Sequence, residues 1–234
     1  MDTVLVVGIN GAIGKAVAEI FSAKGFHCIG TSNKKQRQVK KTVSAKKNGS
    51  DILYLDLQDS QSITDLASKL PTLAGIIFCA GVKPSKNLAD TTLEHHQEMM
   101  NLHVTGPLFV VKAIQNKVKK NGSILFISSI ATKKGSYDPS YAIAKSAVNG
   151  MTITLANELV AKPIRVNAIA PGLVKDSPVH KGMTADFREK HLKQTLLNKL
   201  TTTADCAEAI YFLFSQHQMT GQVVHINGGQ YFGN

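Results

Sequence analysis

The chain has only three cysteines, Cys28, Cys79 and Cys206, odd in number and far apart. They make neither a disulfide framework nor a metal-binding knuckle, and each lies in an apolar run, as expected for buried thiols in a reducing cytoplasm. No apolar stretch reaches the ~18 residues that a membrane-spanning helix needs. The N-terminus, Met1-Asp2-Thr3-Val4, enters an apolar run at once, without the basic region and cleavage site of a secretory signal. A cytoplasmic protein without a membrane partner is expected. Acid is missing from Lys34 to Lys47, which holds Lys34, Lys35, Arg37, Lys40, Lys41, Lys46 and Lys47 in a chain of net charge +11. That invites a nucleic-acid reading, yet no aromatic residue interrupts the run to stack on bases, and no zinc-finger, RRM or homeodomain pattern is present. A solvated basic face is the expectation, with no nucleic-acid partner.

What is present is a rhythm. Strand-like runs at Val4–Val7, His27–Thr31, Ile52–Leu55, Gly75–Cys79, Ser123–Ser128, Ile164–Ala170 and Gln222–Ile226 are mostly continuously apolar. That is the pattern of parallel strands covered on both faces. Helical segments lie between them. Ile13, Ala16, Val17, Ile20 and Phe21 follow the 3.6 period, and Gly25 is placed to end that helix. Asp205 followed by Glu208 reads as a capping box opening a helix over Ala207–Phe214. A weaker helix is read over Lys34–Asn48, and Leu173–Leu200 is long enough for a helical flap over a pocket. Repeated β-α units force right-handed crossovers and a doubly wound α/β sheet, and 234 residues with 43% hydrophobic content fit one domain.

The first strand runs directly into Gly8-Ile9-Asn10-Gly11-Ala12-Ile13-Gly14, which opens the first helix. Small residues let the backbone approach a pyrophosphate, and the helix start supplies free N–H groups and a positive dipole end. The alternative is a tight turn that binds nothing. The second strand ends Gly30-Thr31-Ser32-Asn33-Lys34-Lys35, with hydroxyls, an amide and ammonium groups where an acid would repel a 2′-phosphate. NADP(H) is therefore preferred over NAD(H), modestly, because lysine lacks the planar fork of arginine. Asp56, beside Leu57 at the end of the third strand, is placed either to accept from an adenine amino group or to cap a helix.

Asp138-Pro139 is a helix start, with Tyr141 in the first turn and Lys145 one turn on along the same face. An ammonium close to a phenol lowers its pKa from about 10 toward the working range, so that Tyr141 can exchange a proton with a carbonyl or alcohol oxygen. Ser128-Ser129 ends the fifth strand, where open α/β sheets place ligands, and supplies a hydroxyl for the substrate oxygen.

With these residues the chain resembles the short-chain dehydrogenase/reductase family over about residues 3 to 230. The matching features are Gly8 and Gly14, Asp56, Ala80-Gly81, Ser129, Tyr141, Lys145, Pro171-Gly172, and Gly221-Gln222 leading to Asn227-Gly228-Gly229. The resemblance implies a Rossmann sheet in the order 3-2-1-4-5-6-7, with Tyr141 as general acid/base and Ser129 orienting substrate. It further implies that Lys145 lowers the tyrosine pKa and binds the nicotinamide ribose. Pro171, Gly172 and the following backbone, with Val174, would border the nicotinamide, and the 173–200 flap would wall the substrate. Association into a homodimer or homotetramer through helices near His96–Lys119 and Ser140–Val160 is likewise implied.

The chain also departs from the family pattern. Ala12 replaces the middle glycine, Val7 a threonine, and Phe78-Cys79 two asparagines. His103 stands where the family carries an asparagine that supports a relay water, and it either keeps that role or only fills space. Ser129 is one residue nearer Tyr141 than usual, while Ser128 keeps the usual spacing. The expected function is reduction of a carbonyl, or the reverse, with 3-oxoacyl thioesters on an acidic carrier protein as one substrate class. Lys117, Lys119, Lys120, Lys133, Lys134 and Lys162 are candidates for a basic docking rim. The alternative is a catalytically silent dinucleotide-binding sensor or partner subunit.

Overall fold

The computed structural model describes residues 1–33 and 51–232. Seven parallel strands form one sheet: β1 Thr3–Val7, β2 His27–Ser32, β3 Ile52–Tyr54, β4 Leu73–Phe78, β5 Val118–Ile127, β6 Arg165–Pro171 and β7 Val223–Ile226, in the order β3-β2-β1-β4-β5-β6-β7. The described helices are α1 Ala12–Ala23, α2 Ser60–Lys69, α3 Leu93–Met100, α4 Gly106–Ile114, α5 Ala131–Lys134, α6 Pro139–Glu158, α7 Pro178–Lys181, α8 Ala185–Lys193 and α9 Thr203–Ser215. Among these none is long and apolar enough to cross a membrane.

Strand pleat explains the apolar runs. In β1, Leu5 and Val7 face a core shared with Ile63 and Leu66 of α2, Val111 and Ile114 of α4, and Val148 and Leu155 of α6. Their neighbours Val4 and Val6 face a second core with Val17 and Phe21 of α1 and Ile210 and Leu213 of α9. A strand apolar on both faces is the consequence of two helical layers. Because every strand is parallel, all C-terminal ends share one edge, and Gly8, Asn33, Ala80, Ser129 and Gly172 follow within two residues of their strand ends there. The strand order reverses between β1 and β4, which opens a crevice at that edge.

Two expectations are corrected. Helix α9 begins at Thr203, with Thr202 as N-cap and Asp205 as the third helical residue of the capping box; Glu208 lies within the helix. Thr202 accepts from the Asp205 N–H, so the box sits three residues before its expected place. The helix expected to reach Lys119 stops earlier: α3 passes through a π turn, Asn101–Thr105, into α4, and β5 starts at Val118. Over 173–200 the chain forms two short helices, α7 and α8, neither with a buried residue. The helix read over Lys34–Asn48 lies outside the described residues.

Candidate functional site

At the β1–β4 switch, Gly8 (φ 82°) meets the β4 end so closely that a Cβ there would lie 2.6 Å from the Ala80 Cα and N. A Cβ on Gly14 would lie 2.4 Å from the Gly8 carbonyl oxygen. Both positions need glycine for packing of the turn. Gly11, extended at φ −69°, is the N-cap of α1, and no side chain caps that helix. Its first-turn N–H groups, Ile13 among them, are open to an anionic group. The Ile13 side chain packs against the second core. Ala12, with no glycine in its place, simply begins α1.

The cleft here is lined by Gly8, Asn10, Gly11, Thr31, Ser32, Asn33, Asp56, Leu57, Ala80 and Gly81, all expected, and by Val7, Leu55, Gln58, Cys79, Val82 and Leu102, which were not. The Asn10 Oδ1 is buried without a partner among the described residues, an acceptor suited to a hydroxyl or amine of a bound ligand. The Thr31 Oγ1 accepts from the Gly8 N–H at 3.2 Å and braces the turn. Asp56 does not cap α2: Asp59 does, accepting from the Gln61 N–H. Asp56 instead accepts from the Gln58 N–H at 3.0 Å and stays on the cleft wall. Lys34 lies outside the described residues. Pro171, Gly172 and Val174 are not in this lining. Val174 is packed into the second core and bridges to Thr201, while the Pro171 carbonyl accepts from the Ile130 N–H. The turn, the bare helix start and the lone Asn10 acceptor together fit the phosphates and ribose of a dinucleotide.

From Gly81 the wall leads to a second cluster. The His103 Cε1 would be 3.2 Å from a Cβ on Gly81, and the His103 ring stands edge-on to Tyr141 with centroids 5.7 Å apart. His103 sits on the π turn, 4% exposed, with its Nε2 unpartnered. Burial, then the nearby Lys145, push its pKa well below the ordinary 6.5, so the imidazole is neutral. Such π turns are frequent at functional sites because one extra residue re-aims a side chain.

Asp138 caps α6 by accepting from the Tyr141 N–H, and Pro139 follows at the first helical position. Lys145 is 5% exposed; its Nζ donates to the Ile127 carbonyl at 2.8 Å and lies 5.7 Å from the Tyr141 ring centroid. Burial lowers its pKa to about 7. Tyr141 keeps part of its surface open. Its phenol pKa is nonetheless raised, by burial first; a hydrogen bond with Ser129 lowers it and the Asp138 charge raises it further. This corrects the expectation of a lysine-lowered phenol. The amine, with a pKa of about 7, is only about half protonated at neutral pH and is directed at a backbone carbonyl, so burial dominates.

The two serines separate cleanly. Ser128 Oγ donates to Asn149 Oδ1 at 2.6 Å and is directed into α6. Ser129 Oγ accepts from the Ala131 N–H and joins Tyr141. Tyr141, Lys145, Ser129 and His103 thus come together at one strand-end edge. The proposed basic rim does not hold together. Lys117, Lys119, Lys120 and Lys162 lie at or before the N-terminal ends of β5 and β6, while Lys133 and Lys134 lie just past the far end of β5, ten residues long. Measured along β4, which pairs Leu73 with Val118 and Phe78 with Phe126, the two groups stand about 20 Å apart. Lys119 pairs with Asp2, and Lys162 donates to Gln115 and Asn116.

The comparisons with known proteins agree with this geometry. A family model described as enoyl-(acyl carrier protein) reductase matches residues 8–230. A 3-oxoacyl-[acyl-carrier-protein] reductase of Buchnera aphidicola is 30% identical over 98% of this chain and 97% of its own length. A human protein named dehydrogenase/reductase SDR family member 4 is also 30% identical, over 96% of this chain and 86% of its own. The crystal structure of a short-chain dehydrogenase family protein from Francisella tularensis has a TM-score of 0.86 at 28% identity, covering 98% of both chains.

Proposed function

The chain belongs to the short-chain dehydrogenase/reductase family, and from that premise we propose that it is an NADP(H)-dependent oxidoreductase that reduces a carbonyl to an alcohol or runs the reverse. The observation that carries the proposal is the convergence of Tyr141, Ser129, Lys145 and His103 beside a cleft with a bare helix start. Gly8, Asn10, Gly11 and the first turn of α1 would hold the cofactor's phosphates, and Thr31, Ser32 and Asn33 would meet the adenosine ribose and its phosphate. Asp56 and Leu57 meet the adenine. Pro171 and Gly172 border the nicotinamide, and α7 and α8 wall the substrate. A bound nicotinamide supplies the hydride.

The chain's own groups handle the proton. Ser129 donates to the substrate oxygen and fixes it near Tyr141. Tyr141, kept protonated at neutral pH by burial, is the general acid and releases its proton as negative charge grows on that oxygen. Lys145, protonated to about half at pH 7 given its lowered pKa, stabilises the resulting phenolate and shares its proton. His103, neutral, is available through Nε2 to a water in the same space.

The substrate class proposed is a 3-oxoacyl thioester on a carrier protein, as the names of the relatives suggest. Lys133 and Lys134, at the site's edge, replace the wider rim as the docking charges. Association into a homo-oligomer through α4 and α6 is supported by Phe109, Ile143 and Ile153, each about half exposed. Cytoplasmic location completes the proposal.

Titration with NADPH and with NADH, followed by turnover on diketones, aldehydes and acetoacetyl thioesters, tests it. Tighter binding of NADPH with consumption on at least one substrate is expected. Binding without turnover on any of them would establish the silent sensor instead.

A further inference from the structure

Asp138 does more than cap a helix. Its carboxylate is fully buried, and each oxygen is committed. Oδ1 accepts from the Tyr141 N–H at 3.1 Å. Oδ2 accepts from the Ser85 N–H at 2.9 Å and the Lys86 N–H at 3.3 Å, and from the His95 Nε2 at 2.9 Å. A carboxylate has no proton to give, so the His95 Nε2 carries it and donates. Burial works against the charge, and the four donors outweigh it, holding the carboxyl below its ordinary value. A second strap runs beside the first: the Tyr137 hydroxyl donates to the Pro84 carbonyl, and His96 Nδ1 pairs with Ser140 Oγ at 3.3 Å.

Three segments therefore meet at one carboxylate. The first is the catalytic turn, Asp138–Tyr141. The second is the loop at 84–86, which continues from Gly81 and Val82 on the cleft wall. The third is α3, whose own continuation carries His103 against the Tyr141 ring. A plain helix cap needs only one acceptor and tolerates solvent around it. A cap closed by a buried histidine and two loop amides fixes the position of the helix start against the cofactor wall.

We propose that His95 and Asp138 are positioning residues for the proton-transfer step: through the Asp138 carboxylate they lock the 84–86 loop and α3 to the first turn of α6, and so set where the Tyr141 hydroxyl stands relative to the bound cofactor. The inference rests on Tyr141 as the general acid. Misplacement by about 1 Å is enough to cost on the order of a hundredfold in rate, so losing one of four donors is expected to cost about tenfold. The loss falls on kcat, because the residues touch neither substrate nor cofactor.

The test measures kcat and KM for NADPH-driven reduction of an acetoacetyl thioester by His95→Leu, His95→Gln and Ser85→Pro, with Tyr141→Phe as reference and a thermal melt of each. His95→Leu is expected to lower kcat about tenfold with the carbonyl KM within twofold, and His95→Gln, which returns a neutral donor, to recover most of it. Ser85→Pro removes a loop N–H on a residue whose side chain is exposed, and is expected to lower kcat in the same manner. Wild-type kcat in His95→Leu or Ser85→Pro, or failure of the Gln variant to recover any rate, overturns the proposal. If His95→Leu does not fold, the Ser85→Pro result decides alone. Activity retained in Tyr141→Phe fails the acid assignment itself, a separate outcome.

Discussion

Lys145 shows most directly that residues at this site are held against their own preference. Its amine is buried, with the Ile127 carbonyl its single hydrogen-bond acceptor among the described residues, and its pKa falls to about 7 from 10.5. An amine whose folded pKa is depressed binds its proton more weakly in the native than in the unfolded chain, so stability rises with pH between about 7 and 10.5. At pH 7 the cost is on the order of 4 kcal/mol. Lys145→Met is therefore expected to abolish turnover yet to stabilise the protein by about 1–3 kcal/mol at pH 7. That gain shrinks as the pH approaches 10; melts of both proteins across this range check the sign. Gly8 makes the opposite point. With φ at 82° and Ala80 backbone 2.6 Å from any Cβ, Gly8→Ala is expected to destabilise by more than about 2 kcal/mol and to weaken NADPH binding, measured by denaturant unfolding and titration.

Elements were more legible than their ends. The seven strands could be read because each is apolar on both faces, a pattern that two helical layers impose. Helix α6 could be read because Asp138-Pro139 marks its start chemically. The α9 start was misplaced because Asp205 serves equally well as a cap or as the third residue of a box, and only the Thr202 backbone conformation decides. Thr202→Ala is expected to cost about 1 kcal/mol, a melting shift of about 2–4 °C by calorimetry. The π turn carrying His103 had no signal in composition or period, since an extra residue in a turn leaves the apolar spacing almost intact. Ser128 and Ser129 could not be separated from sequence because both lie just past the end of β5, where the alternation of a strand no longer fixes which way a side chain points. The structure turns Ser128 into α6 and Ser129 toward Tyr141. His95 was missed altogether. A histidine on a helix carries no mark of its partner, and Asp138 lies 43 residues away.

At the scale of the whole molecule, charge is distributed by topology more than by sequence neighbourhood. Residues close together in the chain, such as Lys119 and Lys133, stand at opposite ends of the sheet because β5 runs between them. On the proposed function, the part of the net +11 that lies near the strand C-terminal ends is what a substrate entering the site would meet. Reversing Lys133 and Lys134 to Glu together is expected to raise KM about tenfold for a carrier-protein thioester and to leave a small acetoacetyl thioester within twofold. Reversing Lys117 and Lys120 is expected to change neither. Steady-state kinetics at low and moderate salt separate the two, since a charge-steered effect fades with ionic strength.

The same architecture gathers five strand ends, a bare helix start and the α6 first turn on one edge, and the account stands on what the Tyr141 hydroxyl does there. Its most direct test is the single-turnover rate of NADPH oxidation by a saturating 3-oxoacyl thioester, compared between the wild-type chain and Tyr141→Phe. The account predicts a fall of about a thousandfold with NADPH affinity unchanged. A phenylalanine variant that oxidises NADPH at the wild-type rate would contradict it.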